Sequence, residues 1–187
     1  MVSVSAARAS AALVPHPDHA APAVRAVRVD VTRTPDGLAL VYTLEGDLNA
    51  IRIPAPAAPE IVHGLWEHTC FEAFVAADGG AAYHEMNLAP SGAWAAFAFR
   101  GYRDGAPLSD PALAPGISVR REAGRLLLDA RVPLARLSPA YPAARLRVAL
   151  TAVVEAADGA RSFWALRHPA GPPDFHHRDG FAVVLET

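Results

Sequence analysis

Glu72, Glu85 and Asn87 are the residues whose types and spacing could do chemistry in this chain. Glu72 interrupts the apolar stretch 69–76, while Glu85 and Asn87 interrupt 83–89. Both stretches alternate as strands do, with successive side chains on opposite faces. Between them, Ala77-Asp78-Gly79-Gly80 carries hairpin-turn dipeptides. A tight loop at either Asp78-Gly79 or Gly79-Gly80 puts Glu72, Glu85 and Asn87 on one face with Phe74 and Tyr83. Phe71, Val75, Met86 and Leu88 then fall on the other. A loop one residue longer separates the glutamates, because strand periodicity is strictly two.

Two carboxylates and an amide beside aromatic rings are the usual lining of a small-ligand pocket, where polar groups orient and rings supply area. The same acids could act as a glycosidase pair, since directly opposed residues on paired strands stand ~5 Å apart at Cβ. The plainer alternative is a solvated sheet face, which antiparallel sheets often keep. A second turn, Ala89-Pro90-Ser91-Gly92, suits a type I turn closed by a left-handed glycine. It adds Ala95, Phe97 and Phe99 to the glutamate face and puts Trp94 on the opposite one.

These residues need a sheet to hold them. Residues 24–32 and 38–44 read as strands joined at Pro35-Asp36-Gly37, followed by a short strand at 51–53. The proline-rich 54–59 cannot lie inside a sheet. A helical turn is expected within 60–66, and 100–105 and 107–115 are expected as connections. Further strands are expected at 117–121, 125–132, 145–155, 161–166 and 181–185, with a helical turn over 133–137. About ten short strands with turn signals at nearly every break predict an all-β antiparallel sandwich or barrel. A helix over 65–77 is the competing reading of the central block. It lacks a cap and runs into a glycine turn.

At 187 residues the chain is one domain's worth, and its 52% hydrophobic content is ample for a core. Residues 1–22 read as a flexible leader and 23–187 as a single domain. That leader has no long apolar run, so neither a secretory signal nor a membrane span is expected. A net charge of −2 without a basic cluster argues against nucleic acid as partner. The one cysteine, Cys70, precludes an internal disulfide, which fits a cytoplasmic location. It reads as a small strand residue rather than a catalytic thiol.

The segments LWEHTCFEAFV (65–75), YHEMNLAPSG (83–92) and LRHP…PDFHHRDGF (166–181) resemble the DOMON-like superfamily, in its bacterial branch related to family 9 carbohydrate-binding modules. The resemblance covers the chain from about Val24 onward. It implies a jelly-roll-like β-sandwich and a sugar or haem as ligand, with tryptophans stacking on sugar rings and polar side chains meeting the hydroxyls. It implies no catalytic activity. Haem-binding relatives use Met with His or Lys as axial ligands, and Met86 is the candidate here, although its face is the one assigned to the core.

His168, His176 and His177 lie with Asp174 and Asp179 in one late loop. Their spacing matches no structural zinc pattern, and the adjacent His176 and His177 point opposite ways if extended. Trp164 reads as core and Trp66, at a loop–strand junction, as a ligand contact. The expected ligand-binding set is Trp66, His68, Glu72, Tyr83, Glu85, Asn87, Trp94 and His176, with no metal. Three functional readings follow. A binding module for a small polar ligand, with a carbohydrate foremost, predicts an open aromatic concavity and no perturbed acid pair. A small hydrolase or haem protein predicts acids of divergent pKa or a haem ligand. A scaffold predicts a closed pocket, with Glu72 tied to Arg100, Arg103, Arg167 or a histidine.

Overall fold

The computed structural model describes residues 3–5 and 7–187, with side chains from Ala7 onward. It contains thirteen strands: β1 (Ser3–Ser5), β2 (Arg8–Pro15), β3 (Val24–Thr34), β4 (Gly37–Gly46), β5 (Cys70–Ala77), β6 (Tyr83–Leu88), β7 (Trp94–Gly101), β8 (Asp104–Leu108), β9 (Gly116–Glu122), β10 (Arg125–Val132), β11 (Leu146–Glu155), β12 (Arg161–Ala165) and β13 (Val183–Leu185). Short helical turns interrupt them, including Leu65–Glu67 and Leu134–Leu137.

All strand pairs are antiparallel, in the order β8-β7-β6-β5-β11-β12-β2-β3-β4-β10-β9, with β1 on β2 and β13 on β11. The sheet folds over on itself as a sandwich. One half presents Val27, Val29, Val31, Leu38, Leu40 and Leu44 to Phe71, Val75, Met86, Leu88 and Leu150 of the other. Strict alternation produces this in β4, where every second residue is buried. Tyr42 crosses the core, and its hydroxyl donates to the backbone carbonyl of Glu72 at 2.6 Å. The strand that carries the first glutamate is thereby pinned from beneath.

Three expectations are corrected. Residues 8–15 are not a flexible leader: β2 alternates exposed and buried residues, pairs with β3, and meets β12 at Trp164 and Ala165. Its Ala9, Ala11 and Leu13 fill the core, a small-residue pattern easily mistaken for low-complexity sequence. Residues 51–53 form no strand. Ile51 makes one isolated bridge to Ala156 before the prolines end the pairing. The polar connection after β7 includes strand β8, whose Gly105 lies flat against β7. A Cβ there would stand 2.5 Å from the Phe99 ring. No helix among the described residues is long and apolar enough to cross a membrane.

Candidate functional site

The central ribbon folds with the expected parity. Glu72 pairs with Asn87 and Phe74 with Glu85 across β5–β6, and Glu85 pairs with Phe97 across β6–β7. Gly79 and Gly92 take φ values of +81° and +95°, the left-handed backbone each turn needs. One face of this half-sheet, directed away from the core, therefore carries Glu72, Phe74, Tyr83, Glu85, Asn87, Phe97 and Phe99. The two glutamates are diagonal neighbours, not directly opposed as the glycosidase comparison supposed. Met86 and Trp94 lie on the opposite face, buried between the half-sheets.

A cleft of about 420 Å³ opens over this face, within the ~300–1,000 Å³ range of small-ligand pockets. Glu72 and Glu85 line it with Phe74, Phe97, Phe99 and Trp66. Arg103, Arg161, Phe163, Phe175, His176 and the Gly105–Pro107 edge of β8 are among its walls. The late loop reaches the cleft through Asp174, which accepts from the Tyr102 hydroxyl at 2.7 Å and the Arg103 guanidinium at 2.9 Å. The backbone N–H of His176 also donates to Asp174, at 3.1 Å.

The imidazole of His176 packs edge-on to Phe74 and Phe99, with centroids 5.1 and 5.0 Å away. Tyr83 stacks on Phe99 at 4.7 Å. Its hydroxyl accepts from the Arg103 backbone N–H at 3.1 Å and stands 2.9 Å from His176 Nδ1. The phenol hydrogen has no other acceptor among the described hydrogen bonds, so Tyr83 donates to Nδ1. The proton of the neutral ring then sits on Nε2, 3.8 Å from Glu85 Oε2. Burial and the charge of Arg103 lower the His176 pKa to about 4, so the ring is neutral at pH 7.

Glu72 is 2% exposed and Asn87 is fully buried. Thr151 donates to Glu72 Oε2 at 3.1 Å, and Asn87 Nδ2 donates to Glu85 Oε1 at 2.7 Å. Glu72 Oε1 and Asn87 Oδ1 have no hydrogen-bond partner among the described residues. Burial, reinforced by the charge of Glu85, pushes the Glu72 carboxyl well above the usual range. Burial also raises Glu85, to about 7, against the lowering effects of its Asn87 hydrogen bond and the Arg103 charge. Neither acid is tied to an arginine: Arg100 pairs with Asp104 and Arg103 with Asp174.

The structure therefore brings Trp66, Glu72, Glu85 and His176 together in the cleft. Tyr83 and Asn87 support it from behind, holding His176 and Glu85 respectively. Trp66 is 41% exposed and edge-on to Phe97 at 5.9 Å. Trp94 does not belong to the cleft: it is 2% exposed in the core, where the second turn's parity directs it. His68 also lies outside, in a neighbouring groove, with Nδ1 2.8 Å from Glu155 Oε2. Trp164 is core, and the Cys70 thiol is buried among Leu65, Ala89, Ala93 and Ala95. His177 caps the turn Arg178–Gly180 and is remote from its neighbour's role.

Sequence reasoning missed Phe163, Phe175, Arg161 and Thr151 as parts of this site. Thr151 and Phe163 were legible in principle, since alternation along β11 and β12 puts them on the glutamate face. Phe175 sits in an irregular loop and left no periodic signal.

No family model matches the sequence, and no curated protein does. Among solved structures the fold is similar to a crystal structure of a "putative carbohydrate-binding protein" from Bacteroides uniformis ATCC 8492. The TM-score is 0.67 at 15% identity, covering 91% of this chain and 83% of that one. At that identity the likeness concerns the fold.

Proposed function

We propose that the cleft binds a carbohydrate, through hydrogen bonds from Glu72 and Glu85 at its floor and stacking on Trp66 and the phenylalanines of its walls. One observation carries this reading: two buried acids with spare hydrogen-bonding capacity lie at the bottom of an open, ring-lined cavity. Protonated carboxyls donate as well as accept, and a sugar offers hydroxyls that do both. The resemblance to the DOMON-like, family 9 branch points to the same ligand class, as does the description of the structural neighbour. Trp66, Glu72, Glu85 and His176 would touch the ligand, with Tyr83 and Asn87 as positioning residues.

A thermal-shift and calorimetric screen of soluble mono- and disaccharides tests this. A binding sugar at a hundred times its Kd adds about 2.7 kcal/mol of stability. That gain should vanish in Glu85→Ala and persist in His68→Ala. Failure of every sugar to bind at millimolar concentration overturns the proposal.

The acid pair is perturbed, both members upward, where a binding module was expected to leave it unperturbed; this favours a second reading, a glycoside hydrolase, because a carboxyl poised near 7 is suited to general acid catalysis. Against it, both acids rise from one floor, whereas glycosidase carboxyls flank the scissile bond. Turnover of nitrophenyl glycosides, abolished in Glu85→Gln, would establish the hydrolase.

A further inference from the structure

We infer that the floor of the cleft receives a protonated primary amine of the ligand, set between Glu72 and Glu85, so that the sugar class is an amino sugar. This rests on the cleft being a ligand pocket, and it goes further by naming the group bound.

The floor has a surplus of acceptors. Glu72 lines the cleft, and its Oε1 is buried without a partner among the described residues, while Asn87 Oδ1, unpartnered too, lies behind the floor on the residue paired with Glu72 across β5–β6. Glu85 adds a second carboxylate beside Asn87. An ammonium has three donors and no acceptor, which matches such a set better than a hydroxyl with its single hydrogen. It also supplies the missing charge, since a buried carboxylate is costly unless compensated.

The protein provides that charge only at a distance: Arg103 lines the cleft and its charge acts on Glu85, but among the described residues no arginine is bonded to either acid. The chain contains no lysine. Arg103 is held by Asp174 at 2.9 Å, and Arg161 is exposed at the cleft mouth. His176 is neutral and turns its Nε2–H toward Glu85. Phe74, Phe97 and Phe99 line the same cleft, and aromatic rings attract a cation. In the free protein, burial raises both acids and favours their protonated forms. An arriving ammonium displaces those protons.

Calorimetry of the full chain at about pH 6.5 with glucosamine, glucose, N-acetylglucosamine and cyclohexylamine, in two buffers of different ionisation enthalpy, tests this. Glucosamine should bind about tenfold tighter than glucose or its N-acetyl derivative, the difference between charge-assisted and neutral hydrogen bonds. It should release about one to two protons per ligand, because each carboxylate that meets the ammonium gives up its own. Glu72→Gln should remove most of the preference while retaining glucose binding. Should that variant not fold, the proton release of the unaltered protein still decides.

Equal binding of glucose and glucosamine, or glucosamine binding without proton release, overturns the amine site and leaves the carbohydrate reading intact. Binding of cyclohexylamine with proton release, while no sugar binds, supports the amine site and overturns the carbohydrate reading. Binding of none overturns both.

Discussion

Two regions on the same outward face of one half-sheet bury glutamates and treat them in opposite ways. At one end, Glu155 of β11 is 6% exposed and fully partnered: Arg52 donates to Oε1 at 2.7 Å and His68 Nδ1 lies 2.8 Å from Oε2. Burial pushes its pKa up, but hydrogen bonds and charge from His68 and Arg52 more than offset that and hold it below the usual range. At the other end, Glu72 and Glu85 are hydrogen-bonded by a threonine and an asparagine and, among the described residues, by no cation; the Arg103 charge acts on Glu85 only from a distance, and both pKa values are raised. The protein is able to neutralise a buried acid with its own side chains and does so at one of the two places. Where it does not, the cost of burial is left for a ligand to relieve, and an open cleft lies there.

The comparison is most exposed to test through pH. The folded protein keeps on Glu85 a proton that the unfolded chain releases near pH 4.5. Stability contributed by Glu85 is therefore full below that value and falls as pH rises to about 7. The loss is about 3 kcal/mol at ~1.4 kcal/mol per pKa unit. Denaturation of Glu85→Gln followed across that range should show the decline flattened. An unchanged slope would remove the distinction between the two regions. Glu155, with its lowered pKa, has the opposite sign: its contribution is present at neutral pH and is lost as pH falls through the acidic range.

A smaller effect is expected from Arg52→Ala. It should destabilise the protein by about 1–2 kcal/mol at neutral pH, less than for a fully buried pair because Arg52 is half exposed and water screens it. Urea melts at neutral and acidic pH would measure this, with the deficit shrinking as Glu155 protonates. The smallest effect belongs to His68→Ala, about 0.5 kcal/mol, since its ring is mostly in solvent. Sugar affinity in that variant should match the parent protein. A loss of binding would extend the cleft to the His68 groove.

Much of the cleft floor was legible because β periodicity is an arithmetic constraint. Once the loops at Gly79-Gly80 and Pro90-Ser91-Gly92 are given their lengths, the positions of Glu72, Glu85, Asn87, Phe97 and Phe99 follow. The same arithmetic sent Trp94 inward, so its place among the ligand contacts was an error of residue type overruling parity. The walls were not legible. Phe175 and His176 reach the cleft only because Asp174 is clamped by Tyr102 and Arg103, more than seventy residues earlier in the chain. Strand β2 was passed over because alanines alternating with polar residues resemble a tail until β3 and β12 are there to pair with them.

The order of residues alone determined the class of fold, the hairpin parity and which side chains share a face, since these depend on local geometry and short loops. Tertiary structure alone decided which of the buried acids would meet a cation. Glu155 found Arg52 because a bridge from Ile51 to Ala156 brings that segment alongside, whereas the arginine nearest the other two acids in the cleft, Arg103, is paired with Asp174. Charge compensation acts through space over a few ångströms, and the distance along the chain says nothing of it.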